Sequence, residues 1–143
     1  MIITHEFFDG KVPAEARKIR QDVFMTEQGF SYEFDDNDYI SVHILLCCDG
    51  VPAGTGRLFK DKDDSWHVGR IAVRKEFRGK NLGEEVMLRI EDKARELGAD
   101  KIVISAQCRV RGFYEKCGYT AYGEVYLDEY CEHIRMEKIY KNC

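Results

Sequence analysis

The stretch best equipped for chemistry is Gly69-Arg70-Ile71-Ala72-Val73-Arg74-Lys75-Glu76-Phe77-Arg78-Gly79-Lys80-Asn81-Leu82-Gly83. Ile71-Ala72-Val73 reads as the end of a strand, and apolar residues recur at helical spacing from Leu82 onward. A basic, glycine-bearing turn therefore leads straight into a helix N-terminus. Such a terminus carries unpaired backbone N–H groups and the positive end of the macrodipole, and small residues let a phosphate come close. Arg78 and Lys80 add full charges. The chemistry this suits is anion binding, although the same residues also suit a plain polar turn. It is not a P-loop, because no Gly-Lys-Ser/Thr follows a first glycine at the required spacing, and it lacks the G-x-G-x-x-G of a dinucleotide site. Gly54-Thr55-Gly56 lies within a strand pattern and fails the same test.

The elements that must hold this turn follow from periodicity. Ile2–Phe8 reads as a strand, and Pro13 opens a helix in which Val12, Ala16, Ile19 and Val23 share a face, ending near Phe24 to Thr26. Tyr39–Cys48 and Val51–Lys60 form a hairpin about Asp49-Gly50, with a solvated turn at Asp61 to Ser65 and a further strand at Trp66–Val73. Leu82, Val86, Ile90, Ala94 and Leu97 mark the longest helix, Leu82–Leu97, stopped by Gly98. Ile102-Val103-Ile104 is a buried strand, Val110–Lys116 a short helix closed by Cys117-Gly118, and Tyr119–Tyr126 with His133–Tyr140 a last antiparallel pair. That order predicts a mixed α/β sheet with a βαβ unit in its second half.

Composition narrows the function classes. The 143 residues suit one domain, 1–143, and 44% hydrophobic with only two prolines is a globular profile. A net charge of -4 gives no field to attract nucleic acid. The N-terminus does not read as a signal peptide, and Ile40 to Cys48 is too short and interrupted to span a membrane, so the expected location is cytoplasmic, with no membrane partner. Cys47 and Cys48 are adjacent, while Cys108, Cys117, Cys131 and Cys143 are scattered without zinc spacing. The expectation is reduced thiols and no metal.

Arg78 to Gly83 resembles the Q/R-x-x-G-x-G/A acyl-CoA pyrophosphate loop of the GNAT superfamily of N-acetyltransferases, with Asn81 where the pattern has glycine. Asn tolerates a left-handed backbone better than other non-glycine residues. Phe113-Tyr114-Glu115-Lys116-Cys117-Gly118-Tyr119 is similar to the A-x-x-F-Y-x-x-x-G-F region of the same superfamily, with Val110 and Tyr119 at its ends. Arg20 to Gln28, Asp35 to Asp38, His43, Gly54 to Leu58, Ala106-Gln107, Gly123-Glu124 and His133 to Met136 look like its ElaA/YjcF-like branch. The resemblance implies a mostly antiparallel twisted sheet, helices on both faces and one parallel βαβ unit at a splayed cofactor cleft. It also implies acetyl transfer from acetyl-CoA, as co-substrate, to a small amine.

Carried over residue by residue, the resemblance implies that Ile71, Ala72 and Val73 pair with the pantetheine arm and that the amides from Arg78 through Gly79, Lys80, Asn81, Leu82 and Gly83 to Glu84 hold the pyrophosphate. Gln107, Phe113 and Tyr114 complete the cofactor wall. Amine attack on a thioester needs a deprotonated amine, a donor to the oxyanion and a proton for the thiolate. The Val73 N–H is the family-like oxyanion donor and Tyr114 the acid, since a phenol stays protonated at neutral pH. Glu27, His43 and His133 are candidate bases, each with a structural role as the alternative. Cys108 and Cys117 are packing residues. Glu33, Asp35, Asp36 and Asp38 read as a solvated loop, with attraction of a cationic amine as the other reading. A homodimer is compatible with the pattern, and a non-catalytic acyl-CoA-binding module is the alternative function.

Overall fold

The computed structural model describes residues 1–31 and 33–140. Seven strands form one sheet: β1 (Ile3–Asp9), β2 (Val42–Cys48), β3 (Val51–Lys60), β4 (Trp66–Val73), β5 (Lys101–Gln107), β6 (Thr120–Asp128) and β7 (Cys131–Ile139), in the order β1-β2-β3-β4-β5-β7-β6. Every neighbouring pair is antiparallel except β4 and β5, which are parallel and joined through helix α2 (Leu82–Glu96). This is the mixed α/β architecture that the periodicity predicts.

Helices cover both faces because strand alternation makes both faces apolar. On one face Leu82, Val86, Met87, Ile90 and Ala94 of α2 pack on Ile44, Leu46, Leu58, Val68, Ile102 and Ile104. On the other, Ala16 and Ile19 of α1 (Ala14–Arg20), with Val23 and Phe24 beyond it, pack on Leu45 and Ala72. The first helix differs from the expectation: it does not stop near Phe24 to Thr26 but passes at Gln21 into a π-helical segment that runs to Glu27. The hairpin's first strand begins at Val42 rather than Tyr39. Asp36–Tyr39 forms a 3₁₀ turn in which Asp35 accepts the Asn37 amide and Asp38 accepts the Asp35 amide.

Two irregularities open the sheet. β4 and β5 pair only at Trp66 with Ile102 and His67 with Val103, and then diverge. Beside this split β4 carries a bulge, with Thr55 opposite Ala72 but Arg57 opposite Gly69, so that Gly56 faces both Arg70 and Ile71. Arg70 takes a left-handed backbone at φ 53 to make it. No described helix is long and apolar enough to cross a membrane. Cys47, Cys48, Cys108, Cys117 and Cys131 are free thiols, and Cys143 lies outside the described residues.

Candidate active site

The split between β4 and β5 is a cleft in which Ile71, Tyr114, Gln107 and His133 face one another. Which backbone groups of β4 it exposes follows from one hydrogen bond. The Arg74 N–H donates to the Ala53 carbonyl at 2.8 Å, so alternation turns the amides of Arg74 and Ala72 toward β3 and those of Val73 and Ile71 into the cleft. Ala72, expected to pair with a bound arm, instead gives its N–H and carbonyl to the β3 side and its methyl to the core under α1.

At the end of β4 the chain reaches α2 through Gly79 at φ 82 and Asn81 at φ 60, the left-handed conformation that the Asn-for-Gly departure requires. Glu85 makes the first helical bond, to the Asn81 carbonyl at 3.3 Å, which leaves the amides of Leu82, Gly83 and Glu84 open at the positive end of the macrodipole. A side chain at Gly83 would put its Cβ 3.2 Å from the Phe113 ring, which holds this terminus close against α3 (Arg111–Lys116). The Leu82 side chain is buried in the core and Lys80 lies over the Phe77 ring at 5.6 Å. Arg78 is occupied rather than free. Its amide donates to Lys75, and its guanidinium donates to both Glu27 carboxylate oxygens, at 2.7 and 3.0 Å, and to the Val73 carbonyl at 3.0 and 3.1 Å. Glu27 is thereby an ion-pair partner across the cleft mouth.

Tyr114 stands on α3 with its ring edge-on to Phe113 at 5.0 Å and Tyr119 at 6.2 Å, and its hydroxyl has no hydrogen-bond partner among the described residues. Burial pushes its phenol above the ordinary value, with a smaller push from Cys117. Across the cleft, His133 on β7 is buried beside Tyr126 and Phe30, and its Nδ1 lies 3.0 Å from the Cys131 carbonyl. A carbonyl only accepts, so Nδ1 carries the proton and Nε2 keeps its lone pair. Gln107 donates to the Gln28 side chain at 2.8 Å and accepts from Arg109 at 2.9 Å, a chain of amides that bridges the cleft from the π-helical segment to the end of β5.

His43 is not in this cleft. It is buried in β2 with Nε2 2.9 Å from the Asp38 carbonyl, inside a charge network where the residue pattern predicts a solvated loop. Arg20, 1% exposed, binds Glu33 through Nε at 2.9 Å and Asp38 through Nη1 at 2.9 Å. Arg57 binds Asp35 and Asp38 at 2.6 and 2.9 Å, and Arg70 reaches Glu33 at 2.8 Å and Asp35 at 3.3 Å. Three guanidiniums thus meet three carboxylates: Glu33 and Asp38 are buried, Asp35 is half-buried, and Asp36 lies at the surface. Burial raises the Asp35 and Asp38 pKa values, but the arginines outweigh it and hold both below the usual range. The signal for this network was Arg20, which shares the inward face of α1 with Ala16 and Ile19.

Burial also holds His43 below the ordinary histidine pKa, against the favourable Asp38 carbonyl. His5 and His67 are lowered in the same way. The unfolded chain then binds protons more readily than the folded one. Stability is full above the unfolded value of about 6.5 and falls as pH drops through it. Urea midpoints should decline from pH 7 to pH 5, and His43→Gln should flatten that slope; an unchanged slope would remove His43 as a cause.

The sequence model for the acetyltransferase (GNAT) family matches residues 7–119. The uncharacterized protein YyaT of Bacillus subtilis is 32% identical over 87% of this chain and 86% of its own length. Protein ElaA of Escherichia coli is 28% identical over 85% of this chain and 83% of its own. Among solved structures, an acyl-CoA N-acyltransferase from Pseudomonas aeruginosa superposes with a TM-score of 0.84 at 26% identity, covering 96% of this chain and 99% of that one.

Proposed function

The chain belongs to the acetyltransferase (GNAT) family, in its ElaA-like branch, and on that premise we propose that it transfers an acetyl group from acetyl-CoA to the primary amine of a small acceptor by direct attack in a ternary complex. The observation that carries this reading is the split between β4 and β5, with open helix amides at one end and Tyr114 and His133 facing across it. An acyl-CoA fits that wall. The Leu82, Gly83 and Glu84 amides suit a pyrophosphate, the small Gly83 permits the close approach, and the Ile71 backbone groups suit an amide of a pantetheine arm.

In this reading His133 Nε2 takes a proton from the attacking amine, the Val73 N–H donates to the carbonyl oxygen as it gains charge, and the nitrogen–carbon bond forms as the carbon–sulfur bond breaks. Tyr114 donates its proton to the departing sulfur. Glu27 is bound to Arg78 and His43 is buried in the charge network, and both observations support His133 as the base.

The experiment is calorimetric titration with acetyl-CoA and CoA, followed by an amine panel with thiol release as the readout. Saturable binding with amine-dependent release is expected; binding without release across the panel points to a non-catalytic module, and absent binding overturns both. Gly83→Val should weaken CoA binding about tenfold, because its side chain must displace Phe113. His133→Gln should lower kcat/KM by about 10²–10⁴-fold near neutrality. The deficit should shrink as pH rises and supplies free amine, and a pH-independent deficit would reassign His133 to structure.

A further inference from the structure

The acceptor end of the cleft holds two guanidinium groups that the catalytic reading does not use. Arg70 projects from the β4 bulge into the cavity that His133 and Tyr114 share. Its Nε donates to the Glu33 carbonyl at 3.0 Å and its Nη2 to Asp35 at 3.3 Å, while Nη1 has no hydrogen-bond partner among the described residues. The group is therefore held from behind with one donor left over. Arg109, which follows β5 on the other side of the split and lines the same cavity, spends Nε on Gln107 and forms no ion pair among the described residues.

Charge balance makes these donors available to a ligand. Glu33, Asp35 and Asp38 are matched one for one by Arg20, Arg57 and Arg70, so the network is neutral as a whole and does not repel an anion. Beside Cys131 on the same side as Arg109, Asp128 also lacks an ion pair among the described residues. The β4 side thus offers the Arg70 donor to a carboxylate, and the β5–β7–β6 side holds an anion for an ammonium. A fixed planar guanidinium is the side chain best suited to a carboxylate.

Resting on the transferase reading above, we propose that the acceptor is a small amino acid, an amine carrying a carboxylate a few bonds away, and that Arg70 selects it. Placing the carboxylate on Arg70 Nη1 leaves the amine on the His133 side of the same cavity. A bare amine would leave that donor to water.

The test compares each common α-amino acid, β-alanine and 4-aminobutyrate with its own carboxamide, an otherwise similar amine without the negative charge. Two readouts are taken: kcat/KM from thiol release, and binding to the CoA-saturated protein by calorimetry. At least one acid should be preferred over its amide by about tenfold to a hundredfold. Arg70→Gln should erase that preference with CoA affinity unchanged, and Arg70→Lys should keep part of it. Amides equal to or better than every acid would overturn the proposal, as would a preference that survives Arg70→Gln. The wild-type comparison decides even where the variant folds poorly. Transfer without carboxylate preference sinks this inference and leaves the transferase standing. If no amine is acetylated, the transferase reading fails, and the binding readout still decides between acid and amide.

Discussion

Replacing Tyr114 by Phe should lower acetyl transfer by about 10²–10⁴-fold while leaving CoA affinity unchanged. The ring keeps its edge-on packing with Phe113 and Tyr119, so the wall survives, and the substitution removes only the hydroxyl that faces the cleft. Burial raises the phenol above the ordinary value of about 10, which keeps the proton in place across the working range. The same apolar surroundings make a departing thiolate more basic, so donor and acceptor are raised by one cause and the transfer stays matched. The wild-type rate should accordingly show no descending limb up to about pH 10. Full turnover in the Phe variant would take Tyr114 out of the reaction.

Arg20→Ala should destabilise the fold by about 3–5 kcal/mol in urea unfolding, because it removes one of the two guanidiniums that each of the buried Glu33 and Asp38 carboxylates binds. Against a total of roughly 5–15 kcal/mol, that is a large share. The effect should reach the cleft as well. Glu33 also binds Arg70, and Arg70 sits in a left-handed conformation that its partners help to hold. Loss of less than about 1 kcal/mol would mean that water or a shifted loop replaces the guanidinium.

What was legible in the sequence follows what is local. Asp49-Gly50 set the hairpin, and the runs Val51–Lys60 and Trp66–Val73 have the same bounds in the sequence and in the structure, because turn chemistry and strand composition act over a few residues. The stripe of α2 was equally plain. The charge network was not, since it joins residues 13 to 37 positions apart, and no period links Arg20 to Glu33 or Arg70 to Glu33. The histidines divide for the same reason. His43 and His133 both lie in strands, and which of them meets the cleft depends on where β4 and β5 part, a property of the sheet rather than of either segment.

The π-helical segment from Gln21 to Glu27 turns chain length into aim. A segment wound this way holds an added residue without breaking the helix. Rewinding the same residues as ordinary α-helix would rotate everything after them by about 100°. Glu27 would swing away from Arg78 and Gln28 from Gln107, detaching two bridges over the cleft without altering a single side chain that makes them. Within such a scaffold the winding absorbs the length, so a relative whose helix is one residue shorter and wound as plain α would aim the same side chains at the same cleft.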